Sequence, residues 1–105
     1  MEIDFFKTLE TNKDKVELLL LDYPKLRDSD SKLIANFWYY EIGESFNDMT
    51  APEFLTMFAE GMLTNTETIR RVRQKLQEEF SFLRGENYKE RQKAGKDTQQ
   101  KIINL

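Results

Sequence analysis

Residues 70 to 84 carry a cluster of side chains with the chemistry that proteins use to contact DNA. Arginine can donate two hydrogen bonds to guanine, glutamine can pair with adenine, and lysine contacts phosphate. At about 100° per residue, these side chains fall largely outside the apolar stripe of Ile69, Val72 and Leu76. The pattern predicts a solvent-exposed nucleic-acid-binding face made of Arg70, Arg71, Arg73, Gln74, Lys75, Gln77 and Arg84.

The same side chains also have a simpler interpretation. Arginine, lysine and glutamine are among the best polar helix formers, so a helix that is merely solvated uses them too. Glu78 and Glu79 follow on the same helix and would repel phosphate. A DNA contact and a solvated helix face both stay open on the sequence.

Enzyme chemistry has little support in the composition. The 105 residues include no cysteine and no histidine, which excludes disulfides, Ser–His dyads and cysteine- or histidine-ligated zinc. The adjacent carboxylates Glu78 and Glu79 have no accompanying base or nucleophile, and no glycine-rich phosphate loop occurs. Asp28 and Asp30 lack the alternating ligands and glycine bend of a calcium loop. We therefore predict no enzyme activity, no cofactor and no metal site.

Charge is divided unevenly along the chain. Residues 1–66 hold 13 acidic and 6 basic side chains, whereas residues 67–105 hold 6 acidic and 10 basic ones. A basic final part is typical of a segment that binds polyanions. It also allows the two parts to attract each other, within one chain or between subunits.

The spacing of apolar residues predicts an all-α protein, a small bundle of about four to five helices. Only four glycines and two prolines interrupt the chain, and β-branched residues nowhere alternate with polar ones as in a strand. We predict one helical domain over 1–88 and a basic polar tail over 89–105, frayed or disordered. Apolar periodicity predicts helices over 3–22, 30–43 and 65–80, with a further short helix before Gly61.

Local signals predict where these helices begin and end. A weak point at Thr11 and Asn12 interrupts the first segment, and Pro24 ends it because proline lacks an amide hydrogen. The serine and aspartates of 28–31 offer caps for the next helix. Its aromatic run, 37–40, is predicted to pack in the core and to place this helix centrally.

The stretch from Thr50 to Glu67 predicts a joint similar to a helix-turn-helix. Thr50 and Glu53 form one capping box, and Thr64 and Glu67 form a second. Gly61 suits the left-handed position that ends a helix. Met62 and Leu63 are expected to be buried in the turn. In this motif the second helix lies in the major groove, and here that helix is the basic one.

The stretch from Thr64 to Tyr88 resembles a segment of small phage and prophage proteins. Thr68–Glu78 matches their pattern T-I-x-R-x-R-x-K-L-Q-E, and Leu83–Tyr88 matches L-R-G-x-x-Y. Ser81 stands where that pattern would have proline. The resemblance covers about 25 residues and implies a phage origin and a packed helical unit, without fixing an activity.

Two functional hypotheses follow. The first is a small phage-type accessory or regulatory protein that binds double-stranded DNA through the helix over 65–80. The second is a protein-interaction module that binds a host protein or forms a homodimer and makes no nucleic-acid contact. No apolar run in the sequence is long enough to cross a membrane, and the first residues are acidic, which is not typical of a signal peptide. We therefore expect a cytoplasmic protein without membrane contact.

Overall fold

The computed structural model describes residues 2–88, and this part of the chain is mainly helical and contains no strand. The predicted all-α class is confirmed. The predicted tail over 89–105 lies outside the described residues. The α-helices with both ends among the described residues are α1 (Ile3–Thr8), α2 (Asn12–Asp22), α3 (Asp30–Ile42), α4 (Ala51–Ala59) and α5 (Thr66–Glu79), and residues 86–88 are helical as well. Short 3-10 turns occupy Pro24–Asp28, Glu44–Asp48 and Ser81–Leu83.

The helix boundaries agree with most of the local signals. The predicted break at Thr11 is confirmed, and the Thr11 hydroxyl caps α2 by accepting a hydrogen bond from the Asp14 amide at 3.1 Å. Ser29 caps α3 through the Lys32 amide, and Thr50 caps α4 through the Glu53 amide, each at 3.3 Å. Each cap satisfies an amide that the helix itself leaves without an acceptor.

The end of α4 shows why glycine is needed at position 61. Gly61 has a φ of 71°, a left-handed conformation that side chains with a Cβ atom disfavour. The Gly61 amide donates to the Phe58 carbonyl and the Met62 amide to the Met57 carbonyl, both at 3.1 Å. This pair of hydrogen bonds is a Schellman motif, and it turns the chain from α4 towards α5.

The hydrophobic core lies between α1, α2, α3 and α5. As predicted, α3 is central: it contacts α1, α2 and α5 and buries Phe37 and Tyr40 from the aromatic run. The Phe6 and Phe37 rings meet edge to face with centroids 5.4 Å apart. The Tyr40 hydroxyl lies 2.7 Å from that of Tyr23, and burial together with this contact raises the pKa of Tyr40 to about 12.

The second predicted capping box, Thr64 with Glu67, does not form. Asn65, not Thr64, caps α5, because its side-chain oxygen accepts a hydrogen bond from the Glu67 amide at 2.8 Å. Thr64 instead binds α3. Its amide donates to Glu41 Oε1 at 2.8 Å, its hydroxyl donates to Glu41 Oε2, and its carbonyl accepts from Trp38 Nε1 at 2.8 Å. These three bonds attach the α4–α5 connection to α3, and we call them the Thr64 clamp.

Replacing Thr64 by valine tests the clamp. The change keeps the side-chain shape but removes the hydroxyl that donates to the Glu41 carboxylate, so we expect the free energy of unfolding to fall by about 1 to 2 kcal/mol. Urea denaturation followed by Trp38 fluorescence measures it. Thr66→Val is the matched control, since Thr66 is exposed. Equal effects of the two substitutions would show that the hydroxyl bond of the clamp contributes nothing to stability.

Candidate functional site: the basic helix and the exposed face of α4

Arg73 is a buried residue of α5, contrary to its predicted place on the solvent-exposed face. Only 7% of its surface is exposed. Its Nε lies 2.5 Å from Oδ1 of Asp30 in an ion pair, and its Nη2 donates to Oδ2 of the same carboxylate at 3.3 Å. Asp30 lies in the first turn of α3, where a negative charge also complements the helix dipole. The guanidinium group therefore joins α5 to α3 and does not face solvent.

Gln77 is also buried, and its amide is fully used within the protein. It is 0% exposed, and its Oε1 accepts a hydrogen bond from Arg73 at 2.8 Å. Its Nε2 donates to the carbonyls of Arg27 at 2.9 Å and Leu83 at 3.2 Å. The predicted exposure of Arg73 and Gln77 is wrong, and we call these two side chains with Asp30 the buried polar network.

The helical wheel of α5 indicates part of this burial. At about 100° per residue, Arg73 lies only about 40° from Ile69 and about 20° from Phe80. Ile69 is fully buried and Phe80 packs against the core. The buried surface of α5 is wider than the apolar stripe alone because this helix packs against two others, α2 and α3. The sequence pattern of α5 alone does not reveal the second of these contacts.

Arg70 and Arg71 are exposed and share one carboxylate. Arg70 Nη2 lies 2.5 Å from Glu67 Oε1 and its Nε donates to Oε2 at 3.1 Å, while Arg71 Nε lies 3.4 Å from Oε1. The hydrogen bond from Arg70 lowers the pKa of Glu67, and the same bond raises the pKa of Arg70. Arg71 is the more accessible of the two, with 73% of its side chain exposed.

Arg84 closes the C-terminal end of α5. Its Nε donates to the carbonyl of Gln77 at 2.5 Å, and its Nη2 donates to the carbonyl of Glu78 at 3.0 Å. Its guanidinium carbon lies 4.7 Å from the centre of the Tyr88 ring. Arginine is favourable here because the last carbonyls of a helix have no partner in the helix. Arg84 was predicted as a phosphate contact, but in the structure its guanidinium serves as a helix cap.

Four of the seven predicted DNA-contacting side chains remain exposed. They are Arg70, Arg71, Gln74 and Lys75. Of these, the two arginines share the single negative charge of Glu67, so with Lys75 three positive charges less one leave a net charge of +2 on this face. Of these four side chains, Arg71 and Gln74 are the best placed to form two hydrogen bonds with one base.

The helix α4 exposes apolar side chains to solvent. This helix has an apolar sequence, yet none of its residues is buried. The exposed fractions are 60% for Leu55, 53% for Phe58 and 60% for Met62. The predicted burial of Leu63 is confirmed, whereas that of Met62 is wrong. We call the surface formed by Leu55, Phe58 and Met62 the α4 face.

α4 is held to the domain by an aromatic contact along one side. The Trp38 ring of α3 lies 6.0 Å from that of Phe54 and 5.6 Å from that of Phe58, centre to centre. Phe46 also contacts Phe54 at 6.4 Å. Because these contacts involve only one side of α4, Leu55 is left in solvent. The sequence pattern could not predict this, since the apolar residues alone do not say which of them find a neighbour.

Comparison of the chain with protein-family models, curated proteins and solved structures finds no match. The resemblance to phage proteins therefore stays a prediction. Within residues 2–88, no helix has the length and apolar character needed to cross a membrane. The same residues contain no cluster of acidic side chains grouped as metal ligands.

Proposed function

We propose that this chain is a protein-interaction module that binds a partner protein through the α4 face. The observation that carries the proposal is a helix of mainly apolar residues with none of them buried. Contiguous exposed apolar side chains are typical of binding surfaces, because leaving them in water costs about 25 cal/mol for each Å². A partner that covered Leu55, Phe58 and Met62 would recover this free energy.

The way in which α4 is attached to the rest of the domain supports the same function. The Thr64 clamp and the Trp38 contacts fix both the C-terminal connection and one side of α4. A surface held in place before binding loses less conformational entropy when a partner docks. Phe58 contacts Trp38 on one side while remaining half exposed, so it is suited to act as an anchor shared between the domain and its partner.

DNA binding through α5, the first hypothesis from the sequence, has weaker support from the geometry. Arg73, Gln77 and Arg84 already bind groups of the same protein. Removing them from those partners for a DNA contact would leave buried polar groups without hydrogen bonds. The exposed side chains that remain, such as Arg71 and Lys75, could supply only a few phosphate contacts.

A site-specific photo-crosslinker at position 55 tests the proposed function. The probe is placed at Leu55 of the full chain in the cells that encode it, and as a control at Leu21, an exposed leucine of α2. We expect a discrete protein adduct only from position 55. The captured protein is then purified, and its Kd is measured with and without Leu55→Gln combined with Met62→Gln, which we expect to weaken binding at least tenfold (about 1.4 kcal/mol).

Two results would contradict this function. One is the absence of any adduct that depends on position 55, and the other is a Kd that the double substitution leaves unchanged. An electrophoretic shift with duplex DNA at low salt, lost in Arg71→Ala with Lys75→Ala, would favour the DNA hypothesis instead. Such binding would weaken steeply with salt because each phosphate contact releases counterions.

A further inference from the structure

The charged side chains of the chain segment that contains the α4 face are all acidic. Between Leu33 and Ile69 the sequence has six acidic residues and no lysine or arginine. Two of the six are engaged within the protein, since Glu41 accepts from Thr64 and Glu67 pairs with Arg70 and Arg71. The other four are Glu44, Asp48, Glu53 and Glu60.

These four carboxylates carry charge that is not neutralised locally. All four are exposed, and none forms an ion pair with another residue of the described part of the chain. Glu53 in α4 and Glu60 just after it lie on the side away from Leu55. A helix is about 10 Å across and the Debye length is about 8 Å at physiological salt, so screening reduces their potential at the α4 face to roughly a third.

The apolar part of the surface has the spacing of a helix-binding ridge. Leu55, Phe58 and Met62 follow one another at intervals of three and four residues. Leu55 and Phe58 lie on one side of α4, and side chains at this spacing pack into the grooves of a second helix. Met62 follows the left-handed turn at Gly61 and extends this exposed surface beyond the end of the helix. The exposed surface therefore combines an apolar ridge with a negative field.

We infer that the partner of the α4 face is an amphipathic helix whose apolar stripe is bordered by lysine or arginine. This inference rests on the proposed function and names the chemistry of the partner. A symmetric pair of this chain through the same face would bring two copies of this acidic segment together, and the repulsion between their unpaired carboxylates disfavours it. Nucleic acid carries the wrong charge for this surface.

Three synthetic 18-residue peptides test the inference against the intact protein. The first has leucine at helical spacing with lysine elsewhere, the second is a scrambled version of it, and the third replaces lysine by glutamate. Trp38 is the single tryptophan of the chain and contacts Phe58, so its fluorescence reports binding. We expect a Kd on the order of 10 µM for the first peptide, at least tenfold weaker binding of the second, and none of the third.

Two pairs of protein variants locate the binding surface. Leu55→Gln with Met62→Gln should abolish binding of the lysine peptide, whereas Leu21→Gln should not. Glu53→Gln with Glu60→Gln should weaken it by about 3- to 10-fold, more than Glu10→Gln with Asp14→Asn, a pair that changes the net charge equally.

The outcomes separate this inference from the proposed function. If the glutamate peptide binds as well as the lysine peptide, or if the two charge pairs have equal effects, the basic partner is wrong and the α4 face remains a binding surface. A dimer in sedimentation that Leu55→Gln dissociates would identify a second copy as the occupant and also overturn the basic partner. If no peptide binds and position 55 gives no adduct in cells, both proposals fail.

Discussion

Replacing Arg73 by methionine is expected to lower the free energy of unfolding by about 2 to 4 kcal/mol. Methionine fills much of the same volume but leaves the Asp30 carboxylate and Gln77 Oε1 without their partner. Removing one member of a fully enclosed ion pair costs about 3 to 5 kcal/mol. We expect a smaller value because 38% of the Asp30 side chain is exposed and can be hydrated. Urea denaturation followed by Trp38 fluorescence measures the change.

Arg71→Met is the matched control for this prediction. Arg71 lies two positions earlier on α5, and 73% of its side chain is exposed beside Glu67. Exposed ion pairs contribute little, so we expect a change below about 0.5 kcal/mol. If Arg71→Met and Arg73→Met destabilise the protein equally, Arg73 is not the buried link between α5 and α3. Asp30→Asn, alone and combined with Arg73→Met, then measures the coupling between the two side chains.

Replacing Gln77 by leucine is expected to cost about 2 to 3 kcal/mol. Leucine is similar in size and apolar, so burial alone would favour it at a position that is 0% exposed. The loss arises because the carbonyls of Arg27 and Leu83 lose their donor, and Arg73 loses an acceptor. A buried polar group left without its partner costs about 1 to 3 kcal/mol, partly offset here by the added apolar contact.

Gln74→Leu provides the comparison. Gln74 is exposed on the same helix, and the same substitution there should change stability by less than about 0.5 kcal/mol. Denaturant midpoints of the two variants, measured under one condition, give the difference directly. A Gln77→Leu protein as stable as the Gln74→Leu protein would mean that the three hydrogen bonds of Gln77 make no net contribution.

The buried polar network changes how the basic helix is understood. Arg73 and Gln77 are residue types that read bases, but here they connect α5 to Asp30, to the turn that precedes α3 and to the turn that follows α5. A polar group that is fully paired inside a protein holds its neighbours in a defined arrangement. The arginine-rich composition of α5 is thus partly a requirement of the fold.

Local features of this protein could be predicted from the sequence because their causes are local. The caps at Thr11, Ser29 and Thr50 each involve the amide three residues further along the chain. Gly61 ends its helix because its own backbone has a positive φ. The apolar periodicity that identifies the all-α class likewise depends on residues three or four positions apart. The error at Thr64 shows the limit, since two adjacent residues were both able to cap α5.

The amino-acid sequence by itself determined the helices, most of their ends, the aromatic core of α3 and the absence of cysteine and histidine chemistry. Only the tertiary structure decided which polar side chains are buried and which apolar ones are exposed. Arg73 is buried where it pairs with Asp30, which is 43 positions away in the chain and adjacent in space. Thr64 binds the carboxylate of Glu41, 23 positions away, and does not cap α5. Leu55 is exposed because α4 packs on one side only. Contacts of this range depend on how the helices are arranged, and no pattern within a single helix contains that information.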